Sequence, residues 1–146
     1  MDVSEGDVGG EGMATSQTRG TRRLPLTAGA LLVNGAVYQH TSARGDGPPE
    51  LHPLVRRFLH ELPTELRERY AGWCAETVLV SDRLYAAQRA AGGTLAANAA
   101  RAELWGAQLS LCWIREPGDP AHGQPARPCR SCAALLEWFG IEVVEQ

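Results

Sequence analysis

The chain contains no lysine: all 14 of its basic residues are arginine. Together with the alanine-rich stretches, this reads as GC-rich codon usage rather than as a functional device. No apolar run approaches the ~20 residues of a membrane-spanning helix. No charged-then-apolar export signal opens the sequence either. The expectation is a protein that enters no membrane and is cytoplasmic by default, although export by a dedicated secretion machine would leave no such mark. No internal repeat is visible. A net charge of −3 gives no overall pull toward nucleic acid. What is present is 44% hydrophobic content over 146 residues, enough to bury one sizeable core but not two.

Residues 1–22 are rich in Gly, Ser, Thr and acidic side chains with almost nothing apolar, so a disordered N-terminal tail is expected there. Met13 lies in that tail, which leaves Met1 and Met13 both open as translation starts. A single folded domain is expected over residues 23–146, with order beginning near Leu24.

Four cysteines are an even number for disulfides, yet a chain this long and apolar does not need such staples. Without an oxidising context they point to metal binding or chemistry. Two short motifs carry the signal: Cys74-Ala75-Glu76, and Pro128-Cys129-Arg130-Ser131-Cys132. Three protein ligands can hold Zn²⁺ and leave its fourth position to water, whose pKa falls toward ~7. In zinc-dependent hydrolytic deaminases a glutamate that is not a ligand moves the protons, and the motifs read His-x-Glu and Pro-Cys-x-x-Cys. Here Cys74 stands where that signature has histidine. A helix start at Cys74 would favour thiolate through its unpaired N–H groups and dipole. Pro128 before a second helix start costs no hydrogen bond. Cys129 and Cys132, three apart, share one helix face.

The chain resembles the cytidine deaminase-like superfamily, and more narrowly the YwqJ-type deaminases of bacterial polymorphic toxin systems. The residues that carry the resemblance are Trp73 to Leu79, and Ile114-Arg115-Glu116-Pro117-Gly118 leading to Pro128 through Leu135. By order of elements it extends from about Leu24 to Val144. It implies Cys74, Cys129 and Cys132 as zinc ligands and Glu76 as the proton shuttle. It also implies that the backbone N–H groups of Ala75 and Cys129 orient a substrate. The implied substrate is a cytosine- or adenine-type base in single-stranded nucleic acid or a nucleotide. A free nucleoside or another aminated metabolite is the alternative, and a non-catalytic zinc-stabilised interaction module is the second alternative. A toxin or effector role, with an immunity protein as partner, belongs to the same resemblance. The implied fold is a three-layer α/β/α sandwich around a mixed β-sheet.

The rest of the chain reads as such a fold. Ala30 to Val33 and Ala36 to Tyr38 flank Asn34-Gly35, a strong hairpin signal. Leu54, Val55, Phe58, Leu59 and Leu62 form a helical stripe that breaks at Pro63-Thr64. Leu66 and Tyr70 suggest a second short helix. A helix from Cys74 closes at Gly92-Gly93, and Thr94 is placed to cap another running to Trp105. Gln108 to Arg115 alternates as a strand, with Leu109, Leu111 and Trp113 on one side and Ser110, Cys112 and Ile114 on the other. After the loop Glu116 to Arg127, a helix runs to Trp138 and a last strand covers Ile141 to Val144.

Plainer roles compete for several residues. Cys-x-x-Cys also occurs in redox pairs and in closed structural zinc sites, the latter needing Cys112 as fourth ligand. Otherwise Cys112 reads as an inert core thiol. His40, His52 and His60 read as surface or capping residues, whereas His122, just before the second motif, is placed to line a pocket. Trp73 and Trp113 are candidates to stack on a base, in competition with core packing; Trp105 and Trp138 are expected in the core. Arg56, Arg57, Arg67 and Arg69, interleaved with Glu61, Glu65 and Glu68, read as a solvated face.

Overall fold

Asn34 and Gly35 both take positive φ, 51° and 83°, as a two-residue type I′ turn requires. The turn joins β1 (Thr27–Val33) to β2 (Ala36–Thr41) in the expected hairpin, with Val33 facing Ala36 and Leu31 facing Tyr38. The computed structural model describes residues 27–42, 49–68 and 71–145. The expected tail over 1–22, the start of order at Leu24, residues 43–48, Arg69 and Tyr70 lie outside those residues.

Four strands make one mixed sheet in the order β2-β1-β3-β4, with β3 at Gln108–Trp113 and β4 at Glu142–Val143. β1 runs antiparallel to both neighbours, and β4 lies parallel to β3. The outer edge of β3 is closed by two segments. Glu142 and Val144 donate N–H groups to the carbonyls of Ala107 and Leu109, both at 2.8 Å. Beyond them, Ala126 and Gly123 donate to Leu111 and Trp113 at 3.0 and 2.9 Å. The chain between β3 and the second motif therefore returns along the strand it has just left.

Leu31, Val33, Leu109 and Leu111 point to one face of the sheet and join a single core with all four helices. These are α1 (Pro53–His60), α2 (Ala75–Ala90), α3 (Ala97–Leu104) and α4 (Arg130–Trp138). The α/β architecture and mixed sheet are those expected. The opposite face carries Ala28, Ala30, Leu32, Ser110 and Cys112; no second helical layer covers it among the described residues. None of the described helices is long and apolar enough to cross a membrane.

Helix α2 is central. Every residue from Ala75 to Ser81 is buried, so its first half has no solvent face. It ends in a Schellman motif, with Gly93 donating to Gln88 O at 2.8 Å and Gly92 to Arg89 O at 3.2 Å. α4 ends the same way through Gly140 and Ile141. His52 caps α1: its Nδ1 accepts the Leu54 N–H at 3.1 Å, which places the ring proton on Nε2, 2.7 Å from Gln88 Oε1. Its own N–H donates to Ser81 Oγ at 2.6 Å. The capping role was expected; its burial, at 2% exposure, was not. The ring reaches inward because both of its nitrogens are satisfied there.

Other differences have local causes. The third helix starts at Ala97 rather than at Thr94, and its N-cap Ala96 makes no side-chain bond. The second short helix appears as 3₁₀ turns at Thr64–Leu66 and Ala71–Trp73. Trp105, expected in the core, is 63% exposed: its ring lies over Gly140, where an added Cβ would overlap it. Trp138 does pack inward, against Phe58 and Phe139.

Gly29 marks the closest approach of α2 to the sheet. An added Cβ would stand 3.0 Å from Leu79 Cδ1, 3.2 Å from Leu111 Cδ2 and 3.5 Å from the Ala75 Cβ. Gly29→Val must therefore lift the first turns of α2. Overpacking of this kind costs about 1–3 kcal/mol, and the expected result is a lower urea midpoint at unchanged m-value.

Candidate metal centre

Cys74 is the N-cap of α2 and Cys129 the N-cap of α4, and Cys132 lies fully buried in the first turn of α4. The three Sγ atoms lie within 4.8 Å of one another, and those of Cys74 and Cys129 are 4.0 Å apart. Thiolates bound tetrahedrally to zinc at ~2.3 Å stand about 3.8 Å from each other. A small contraction would bring all three onto one ion, and the all-sulfur donor set suits zinc. All four cysteines are free of disulfides.

Local electrostatics favour a cation here. Cys129 Sγ accepts the Cys132 N–H at 3.4 Å, as a serine or aspartate oxygen would at a helix N-cap. Its thiol is lowered to about 3, chiefly because Cys132 and then Cys74 donate to it, against the effect of burial. Cys74 and Cys132 are pushed up, each chiefly by its hydrogen bond to Cys129. The trio thus concentrates negative charge where two helix N-termini meet, and a metal ion would displace the remaining protons.

Glu76 sits in the first turn of α2 at 3% exposure. Burial is the largest cause that pushes its carboxyl up to about 7; its own backbone N–H opposes this, and the Cys129 charge adds to it. Its carboxylate is not part of the three-thiol ligand group. Ala75, beside it, is fully buried.

The remaining candidates divide. Trp73 is half-buried and adjoins Cys74 in the 3₁₀ turn. Trp113, also half-buried, ends β3 with the Arg115 guanidinium 4.6 Å from its ring centre. His122 is exposed, and its Nδ1 accepts the Arg115 N–H at 3.0 Å, so it braces its own loop. Cys112 is half-buried on the open sheet face, opposite Ala28, and is not in the ligand group. It is neither a core thiol nor a fourth ligand.

Sequence reasoning missed Ser131. Buried between the two α4 cysteines, its hydroxyl donates to Leu66 O at 2.6 Å and accepts the Glu68 N–H at 2.7 Å. Arg130 adds an ion pair to Glu68 at 2.7 Å. The only signal was a small hydroxyl residue inside Cys-x-x-Cys, which says nothing about its distant partners.

A family model for YwqJ-like deaminases matches residues 10–141. The chain belongs to that family. No curated protein and no solved structure matches it. Membership makes this a deaminase in general terms, and the cysteine cluster is compatible with zinc.

In this YwqJ-like deaminase, Cys129→Ser should lower bound zinc well below one per chain, while Cys112→Ser keeps it, as read by metal analysis of the purified proteins. Glu76 also predicts a pH dependence. Its folded pKa of about 7 exceeds the ordinary 4.5, so its contribution to stability is full below 4.5 and is lost as pH rises through 7. Cys129 works in the opposite direction, so the readout is the difference between the wild type and E76Q, both with metal chelated. Between pH 4.5 and 7 the wild type should lose up to about 3 kcal/mol relative to E76Q in urea unfolding.

Proposed function

We propose that this YwqJ-like deaminase is a zinc-dependent hydrolase that removes the exocyclic amine of a cytosine- or adenine-type base, in single-stranded nucleic acid or a nucleotide. The observation that carries the reading is the meeting of three thiols at two helix N-termini, with a buried carboxyl two residues from one of them. Cys74, Cys129 and Cys132 would hold the ion. Bound there, zinc would supply a Lewis-acidic centre that makes water a competent nucleophile near neutral pH.

The chain's own groups do the rest. The Glu76 carboxylate takes a proton from the attacking water and returns it to the substrate, so that the amine leaves as ammonia. One water is consumed and one ammonia released. The Ala75 N–H, at the start of α2, has no intrahelical partner and can orient an oxygen or ring edge of the substrate. Trp73 offers a half-buried aromatic face next to Cys74. The family resemblance supports a toxin or effector role, with an immunity protein as partner.

A closed structural zinc site is disfavoured, because Cys112 lies on the other face of the sheet. A free nucleoside is the second reading, favoured by the net charge of −3. Ammonia release on single-stranded DNA, duplex DNA, RNA, cytidine, adenosine and guanine compounds tests the proposal. Glu76→Ala should keep zinc and fold yet lose roughly a hundredfold or more of the turnover. Turnover retained in that variant would remove Glu76 from the chemistry. A polymer substrate shows binding that weakens steeply with salt; a nucleoside does not.

A further inference from the structure

A cavity of about 470 Å³ has in its wall Trp73, one residue before Cys74, and Ser131, between Cys129 and Cys132 in the chain. Its other polar lining is cationic or imidazole: Arg56 and His60 from α1, and Arg67 from the segment after the Thr64–Leu66 turn. The one acid among the described lining residues is Glu68, already paired with Arg130 at 2.7 Å. We propose that this cavity is an anion subsite that takes a phosphate ester of the substrate, so that the enzyme acts on a phosphorylated base carrier and not on a free nucleoside. The proposal rests on the deaminase reading and narrows its substrate class.

Two features separate this site from a solvated run of charge. First, residues from two distinct elements converge on it, while Arg57, the neighbour of Arg56 on the same helix, is not in its wall. Second, both guanidinium groups are tethered. Arg56 Nη1 donates to Leu51 O at 3.2 Å, and Arg67 Nε donates to Leu62 O at 2.7 Å. The Arg67 bond uses only Nε, and its two terminal nitrogens make no hydrogen bond among the described residues. A tethered guanidinium presents a fixed planar fork, and a phosphate accepts such a fork through two oxygens. Little side-chain freedom is then lost on binding. Phosphate held there would keep the attached sugar and base beside Trp73, the chain neighbour of Cys74. Such an ester can belong to a free nucleotide or to a polynucleotide strand, and the chemistry is shared.

The test uses probes that lack an exocyclic amine and so cannot turn over: thymidine, thymidine 5′-monophosphate and a short oligothymidylate. Each is titrated calorimetrically into the zinc-loaded wild type, the Arg56→Gln/Arg67→Gln double variant and Arg57→Gln. At least one phosphate probe should bind while thymidine does not; the tighter of the two names the source. The double variant should weaken that binding roughly tenfold or more, and Arg57→Gln should stay within about twofold of the wild type. If the double variant loses its circular dichroism, the two single variants carry the same comparison. Thymidine binding as tightly as its monophosphate, absence of binding by both phosphate probes, or equal loss in Arg57→Gln would overturn the proposal. Ammonia release by the wild type is scored separately. Lost phosphate binding with intact turnover rejects the subsite alone, and phosphate binding without turnover rejects the deaminase reading alone.

Discussion

The candidate site depends on how closely α2 lies against β1. At Gly29 the sheet offers no side chain, and Leu79 and Ala75 settle into that space. This fixes the depth of the helix and, with it, the position of the residue before its first turn. Cys74 is therefore placed by packing on the sheet rather than by its loop. The same contact buries Glu76, because the first half of α2 is enclosed on every side. Burial in that setting disfavours the charged form of the carboxyl, which is why its proton is held up to about 7.

The second half of the site is placed by hydrogen bonds. After β3 the chain leaves the sheet, turns at Gly118 and Gly123, and comes back to pair with Leu111 and Trp113. Only then does it reach Pro128 and Cys129. The long interval between the motifs is thus spent on α3, on β3 and on closing the outer edge of that strand. An unpaired edge would invite association with another chain. Here the segment that covers it also delivers two thiols to the end of α2. The arrangement gathers three thiols and a buried carboxyl at one point, with protons shared among the sulfurs. Such local conflict is expected at a functional site rather than in a core, and a cation relieves it.

The chemistry of the site was legible in the sequence because it is local. Cys-Ala-Glu and Pro-Cys-x-x-Cys each define a helix start, and both starts are found where the spacing put them. The Asn34-Gly35 hairpin and the alternation of β3 were legible for the same reason, since a turn type or a period of two is written in adjacent residues. What was not legible is what depends on distant partners. The burial of His52 was not legible, although its capping role was, because the partners that hold its ring and N–H inside are Gln88 and Ser81 on another helix. Trp105 looked like a core residue because nothing nearby says that Gly140 offers it a flat seat outside. The period of β3 set Cys112 on the side opposite Leu109 and Leu111, yet it read as a core thiol; its place on the open face and outside the ligand group followed only once Ala28 was known to sit opposite.

Ser131 shows how the two levels join. It lies between two thiols of the cluster, yet its hydroxyl bridges Leu66 O and the Glu68 N–H in the segment before α2. The first turn of α4 is therefore anchored to the chain that leads into Cys74, not only to the sheet. Arg130 pairs with the same Glu68 from outside, where exposure makes its contribution small; the buried hydroxyl is the stronger tie. Because Arg67 and Glu68 share the cavity wall with Ser131, any shift of the second motif would move the wall with it. The spacing of the thiols and the shape of the adjoining cavity are then set by one hydrogen-bonded unit. A change that loosened Ser131 would disturb both together, whereas a change at the cavity's arginines would disturb only one.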